Sequence, residues 1–224
     1  MEVALIDVDS HNFPNLVLMK LSAWHKCHGD NITLMNAEEA LSKEDLIFQY
    51  DKLYGACVFS GNEEIVRKLE SKGVHVGGSG TSRLEILPHE IEHIMPDYSL
   101  YGIRDTAYGF LTRGCPRGCS FCVVAQKEGR KSYKVADVSE WWNGQENIKL
   151  IDPNLLACEE HLDLLRQLVE TNSYIDITQG LDASLLTVKN IELINELKVK
   201  TLHFAWDNPR DSSIKFALQN FKKT

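Results

Sequence analysis

Three cysteines within eight residues constrain this chain more than any other feature. Cys115, Cys119 and Cys122 are spaced C-x3-C-x2-C inside Leu-Thr-Arg-Gly-Cys-Pro-Arg-Gly-Cys-Ser-Phe-Cys-Val, residues 111–123. Gly114, Pro116 and Gly118 keep the backbone there out of helix and strand. The stretch therefore reads as a loop that presents three sulfurs at one point, entered from the apolar run Tyr108–Leu111. Three thiolates suit an iron–sulfur cluster with its fourth iron left open. An open metal position is what separates catalytic from structural sites. Other uses of the cysteines are weaker. A disulfide leaves one thiol over and needs an oxidising compartment. A structural zinc asks for a fourth ligand and usually for C-x2-C pairs. Inert buried cysteines rarely cluster among glycines and arginines.

Strand and helix patterns alternate along the rest of the chain. Val3–Val8 reads as a buried strand. A helix follows over about 13–28, with Asn12 as cap, Pro14 in its first turn and a face of Phe13, Val17, Leu21 and Trp24. Ile32–Met35 and Leu53–Phe59 are strands, with an ambiguous segment between them. Asn62 caps a helix whose first turn holds Glu63 and Glu64, where carboxylates suit the helix dipole. Ile65 and Leu69 form its apolar face, and Gly73 stops it. Val74–Val76 is a strand running into Gly77-Gly78-Ser79-Gly80. This is the pattern of a small open α/β domain with a mostly parallel sheet, residues 1–82. Cys57 reads as core within its strand, and Cys27 as packed at a helix end.

Residues 83–107, with Pro88, Pro96 and Gly102, read as an interdomain linker. They contain His89-Glu90-Ile91-Glu92-His93, a match to H-E-x-x-H. The two prolines leave room for about two helical turns, and no third ligand is evident, so the context is wrong for a zinc protease.

From 108 to 224 the chain predicts four strand–helix units. The strands after the cysteine loop are Ile148–Ile151, Tyr174–Thr178 and Thr201–Ala205. Helices are predicted over Val135–Trp142, from near Glu159, through Val188, Ile191 and Ile194, and over about 212–221. The three strands end in Asp152-Pro153-Asn154, Gln179-Gly180-Leu181-Asp182 and Trp206-Asp207-Asn208. Polar residues at the carboxyl ends of barrel strands are where function is built, although a single Asp there is usually a turn or cap residue.

The stretch Thr-Arg-Gly-Cys-Pro-Arg-Gly-Cys-Ser-Phe-Cys resembles the cluster loop of the radical S-adenosylmethionine enzymes, C-x3-C-x-(aromatic)-C, with Phe121 as the aromatic. The resemblance implies a partial (βα)6 barrel and a [4Fe-4S] cluster on Cys115, Cys119 and Cys122. It implies S-adenosylmethionine on the open iron, cleaved by one electron to a 5′-deoxyadenosyl radical. It further implies that Phe121, Asp152, Asn154, Gln179, Asp182 and Asp207 contact that cofactor, and that flavodoxin or ferredoxin supplies the electron. The substrate is not implied. The N-terminal layout resembles the cobalamin-binding domain that precedes the barrel in many of these enzymes. Asp9, His11, Ser60, Gly77 and Gly78 match its pattern D-x-H-x-x-G, S-x-L, G-G, whereas Pro14 and Asn62 depart from it. Cobalamin is thus one expectation, and a degenerate domain of the same fold the other. Only two cysteines precede the loop, one short of the methylthiotransferase branch.

Four barrel units against the family's six predict a truncated chain, or a sheet completed by a partner. The rival reading is a non-catalytic iron–sulfur or interaction module, and a third is a zinc-binding protein. The net charge of −8 argues against wholesale nucleic-acid binding. The local basic run Arg113, Arg117, Lys127, Arg130, Lys131 and Lys134 is either a solvated loop or a rim for an anionic partner. No run of eighteen apolar residues predicts a membrane span, and the N-terminus reads as a strand rather than a signal peptide. A cytoplasmic protein is expected.

Overall fold

Alternating apolar residues dictate the first element. Val3 and Leu5 point to one face of strand β1 (Glu2–Asp7), Ala4 and Ile6 to the other, and all four are fully buried. A strand buried on both faces must be central, and β1 is. The computed structural model describes residues 1–10, 13–83, 85–205, 210 and 212–219, in two units, Met1–Ile103 and Arg104–Thr224.

In the first unit β1 is followed by α1 (Leu16–Cys27), β2 (Asn31–Asn36), α2 (Ala37–Ser42), α3 (Leu46–Gln49), β3 (Lys52–Ala56), α4 (Glu63–Ser71), β4 (His75–Gly77) and α5 (His89–Glu92). The four strands form one parallel sheet in the order β2-β1-β3-β4. On one face Ala4 and Ile6 pack with Met35, Ala40, Val66 and Leu69. On the other, Val3 and Leu5 pack with Leu18, Leu21 and Ile91. Helices thus cover both faces of a parallel sheet, the α/β class that the alternation predicts.

Some local expectations are corrected. Helix α1 starts after Asn15, whose side chain accepts from the Leu18 amide; Asn12 lies outside the described residues. Its buried residues are Leu18, Met19, Leu21, Ser22 and His25; of the predicted face Leu21 is buried and Trp24 packs on the core, whereas Val17 is exposed. Cys27 is exposed rather than packed. Strand β3 stops at Ala56 because Cys57–Phe59 turn to meet Asp9. Residues 83–103 are not a free linker. Ile91 enters the core, and Asp97 accepts from Ser22 and Lys26 of α1. Tyr101 donates to Asp7 at 2.6 Å.

The second unit contains β5 (Thr106–Gly109), β6 (Thr112–Arg113), α6 (Val124–Lys127), β7 (Tyr133–Lys134), β8 (Asn147–Leu150), α7 (His161–Thr171), β9 (Tyr174–Ile177), β10 (Leu181–Asp182), α8 (Val188–Glu196), β11 (Phe204–Ala205) and α9 (Ser212–Leu218). Strands β5, β8 and β9 form a parallel sheet in the order β5-β8-β9. Strands β10 and β11 are a parallel pair, and β6 and β7 an antiparallel one. Ala107, Ile148, Leu150, Ile175 and Ile177 are buried, while Thr106, Asn147, Lys149, Tyr174 and Asp176, at the alternate positions, are not. The predicted helix over 135–142 is only a 3-10 turn at Val138–Glu140, boxed by Asp137 and Glu140. Trp141 instead fills the space beside Gly109. A Cβ at Gly109 would lie 2.1 Å from the Trp141 ring, so β5 can carry no side chain there. Strand Thr201–Ala205 shortens to Phe204–Ala205. Among the described residues, no helix is long and apolar enough to cross a membrane.

Candidate functional site

The cysteine loop follows the carboxyl end of β5. The pair β6–β7 brackets it, with Thr112 opposite Lys134 and Arg113 opposite Tyr133. Inside this clasp the Cys115 amide donates to the Gly129 carbonyl and the Cys122 amide to the Cys119 carbonyl. Gly114 has φ +77°, and a Cβ there would meet the Lys131 carbonyl at 2.1 Å. Its amide and the Arg113 guanidinium both donate to the Glu128 carboxylate, at 3.0 and 2.8 Å. Gly114→Ala is therefore expected to open the clasp. The measurement is the iron bound per chain after anaerobic reconstitution, which should fall several-fold while the circular dichroism changes little. Wild-type loading in Gly114→Ala would show that the close approach is dispensable.

All three cysteines are partly exposed, and like the chain's other three, of which Cys57 and Cys158 are buried, they are free thiols. Among the described residues no three His, Cys, Asp or Glu side chains converge in metal-binding geometry. The loop carries the three sulfurs together without closing them on a common point. The donor set itself fits a cluster. The thiols are accessible, the backbone around them is pinned, and the buried polar atom Asn154 Oδ1 has no partner.

The residues expected around this loop divide into two groups. Asp152 and Asp182 are committed to the protein. Asp152 is 1% exposed and accepts from the amides of Leu111 and Thr112, at 2.8 and 2.7 Å, and from the Thr112 hydroxyl. Burial pushes its carboxyl up to about 7, against those three hydrogen bonds. It anchors the strand that enters the cysteine loop. Asp182 accepts from Arg117 at 2.7 Å to each oxygen, from the Ser184 amide and hydroxyl, and from Asn154. Burial opposes its ionisation, but Ser184 and Arg117 outweigh that and hold it below the usual carboxylate range. Both aspartates are thus already engaged by protein donors, Asp152 by Leu111 and Thr112, and Asp182 by Arg117, Ser184 and Asn154.

The second group remains available. Phe121 is 88% exposed, and Gln179 is exposed in the turn after β9. Asn154 is 4% exposed. Its Nδ2 lies 3.6 Å from Cys115 Sγ and 3.3 Å from Asp182 Oδ2. Asp207 lies outside the described residues. Arg117 has no motif signal of its own; its place between Cys115 and Cys119, with Asp182 after β9, is the sequence clue to the tie.

The basic rim is largely neutralised. Arg113 pairs with Glu128, Arg117 with Asp182, Lys131 with Glu159 and Lys134 with Asp137. At the opposite, amino ends of β5, β8 and β9 lies an open cleft of about 470 Å³, lined by Thr106, Asn147, Lys149, Tyr174, Asp176 and Lys200, among others.

In the first unit, Asp9 is 7% exposed and accepts from the amides of Val58 and Phe59, from Asn62 Nδ2 and from the Cys57 thiol. It ties β1 to the loop after β3. Asn62 spends its side chain on this tie and not on capping α4. Ser60 is exposed; His11 lies outside the described residues. Gly77 borders open space. Gly78 has φ +110° and stands where a Cβ would strike the Cys57 carbonyl at 2.2 Å. His89 and His93 stack on each other, ring centres 4.3 Å apart.

No family model matches the chain, and no curated protein is significantly similar to it.

Proposed function

We propose that this chain is a radical S-adenosylmethionine protein whose cysteine loop holds a [4Fe-4S] cluster through Cys115, Cys119 and Cys122. The observation that carries the reading is the loop itself. Three accessible thiols stand on one clasped loop at the carboxyl end of a parallel strand, and Asn154, from the end of the next strand, is buried beside Cys115. When bound, such a cluster passes one electron to S-adenosylmethionine, whose carbon–sulfur bond breaks to leave methionine and a 5′-deoxyadenosyl radical.

The chain's own residues would do the following. Arg117 and Asp182 tie the loop to β10. Asp152 fixes the strand that enters the loop. The unpartnered Oδ1 of Asn154 is an acceptor suited to an ammonium group, such as the amino group of the cofactor's methionine. Phe121 offers an exposed aromatic face, and Gln179 a free amide, at the same carboxyl edge. By the resemblance Asp207 joins them. The parallel sheet β5-β8-β9, with a parallel bridge from Tyr174 to Lys198 at its edge, and the separate parallel pair β10–β11 support a partial (βα) barrel. The order β2-β1-β3-β4 supports a flavodoxin- or cobalamin-binding-like first domain. Cobalamin itself is the weaker half of that proposal, because Asp9 is already filled by protein donors. A flavodoxin or ferredoxin would supply the electron, in the reducing cytoplasm where six free cysteines stay reduced.

A second reading, an iron–sulfur module without catalysis, is favoured by the protein donors that already engage Asp152 and Asp182. One experiment separates the two. The protein is reconstituted anaerobically with iron and sulfide and reduced with dithionite. Its paramagnetic resonance spectrum is recorded with and without S-adenosylmethionine, and 5′-deoxyadenosine is quantified. A four-iron signal that changes with the cofactor, together with 5′-deoxyadenosine, supports the enzyme. A signal indifferent to the cofactor supports the module. A signal that persists unchanged in Cys119→Ala would remove these cysteines from the assignment.

A further inference from the structure

We infer that Asn154 is a positioning residue that raises the reduction potential of the cluster, by donating its side-chain amide to the Cys115 sulfur. This rests on the iron–sulfur reading above. Both neighbours of Asn154 Nδ2 are acceptors, Cys115 Sγ at 3.6 Å and Asp182 Oδ2 at 3.3 Å. The amide therefore orients with its two N–H bonds toward them and its Oδ1 away, which is the arrangement that leaves Oδ1 without a partner. The orientation is held from behind. Asp182 is gripped by Arg117 at 2.7 Å to both oxygens and by Ser184. The Asn154 carbonyl accepts from the Ser132 hydroxyl at 3.1 Å, which fixes the backbone. An amide that is 4% exposed and doubly anchored cannot swing to solvent.

The consequence follows from charge. Reduction adds an electron to the cluster and concentrates negative charge on its sulfur ligands. A donor aimed at one of those sulfurs stabilises the reduced form more than the oxidised form, and so raises the potential. The burial of the site strengthens the interaction. Asp182 would act in the opposite sense, but Arg117 neutralises it at contact distance. The amide is neutral, so its contribution needs no titration. Asn154 thereby acts through Cys115, on the electron rather than on the substrate.

The test is a redox titration of the reconstituted cluster, followed by paramagnetic resonance, in the wild-type chain and in Asn154→Ala. The variant should bind the same iron and sulfide and become about tenfold harder to reduce, a shift of ~59 mV to more negative potential for one electron. An unchanged potential at full cluster content overturns the inference. A wild-type chain that takes up no iron overturns the iron–sulfur reading and the inference with it. If Asn154→Ala does not fold, the wild type alone decides. Chain labelled with 15N in the asparagine side-chain amides should show 15N coupling to the reduced cluster in pulsed resonance. Absence of that coupling rules the hydrogen bond out.

Discussion

Asp152→Ala is expected to destabilise the second unit by about 3–5 kcal/mol, from three stranded donors at ~1–3 kcal/mol each. The amides of Leu111 and Thr112 and the Thr112 hydroxyl all end on this one buried carboxyl, and the apolar surroundings offer them no substitute. The melting temperature of the metal-free protein should fall by roughly 10 °C or more. The same residue predicts a pH dependence. Burial lifts the Asp152 carboxyl to about 7, above its ordinary value. The folded state therefore holds a proton that the unfolded state releases near pH 4. Its contribution is full below that pH and is lost as the pH rises through about 7. Between pH 5.5 and pH 8 the wild type should lose more thermal stability than Asp152→Asn, which has no proton to release. Parallel melting curves for the two proteins would show that the carboxyl is ionised throughout.

The second large effect lies in the first unit. Asp9→Ala should cost about 2–3 kcal/mol, because it removes the buried acceptor that the part-buried Val58 and Phe59 amides and Asn62 Nδ2 share. A chemical readout accompanies the loss of stability. Burial, with the hydrogen bond and charge of Asp9 added, pushes the Cys57 thiol up to about 12, so it is inert in the folded chain. In Asp9→Ala the loop after β3 should open, and Cys57 should react with a thiol reagent under native conditions. Asp9→Asn, which keeps one acceptor, should fall between the two. A wild-type melting temperature in Asp9→Ala would mean that water replaces the carboxylate without penalty.

What the sequence told about this protein followed from what each pattern physically encodes. Strands buried on both faces leave runs such as Val3–Val8 and Leu53–Phe59; β1 and β3 each begin one residue before them and end one and three residues short. Gly73 was readable as a stop because only glycine rests easily at φ +83°. The face of α1 was legible at Leu21 and Trp24 and not elsewhere, because a mixed helix, with Val17 exposed and Ser22 and His25 buried, carries a poor apolar signal. His25 goes inward because Asp30, 2.7 Å away, satisfies its ring. Residues 83–107 read as a linker in sequence because the anchors within them are scattered singly: Ile91, Asp97 and Tyr101. Val135–Trp142 looked helical from its aromatics, yet Trp141 is needed in the gap left by Gly109, a pairing across the chain that no local window contains.

The site was legible in the same uneven way. The cysteines announce themselves by spacing, and the aspartates after the strands by position. Position could not say which aspartates face outward. Asp152 and Asp182 turned inward because donors at the loop they border claim them, the Leu111 and Thr112 amides the first and Arg117 the second. Asn154, which has no charge to be claimed, is the one left with an open acceptor.

The clasp formed by β6 and β7 has a consequence for how the loop is filled. Bringing the ends of a flexible segment of this length together costs about 2–3 kcal/mol of chain entropy. Here two backbone-paired residues on each side, and the Gly114 and Glu128 contacts just inside them, meet that cost during folding. The interior carrying the thiols is then the part left to rearrange, over a short path. A ligand arriving late finds a tethered mouth rather than an open chain, so capture is a local event and its release need not unravel the unit. On the proposed iron–sulfur reading, the loop would be a purse already drawn at the neck before the cluster is loaded.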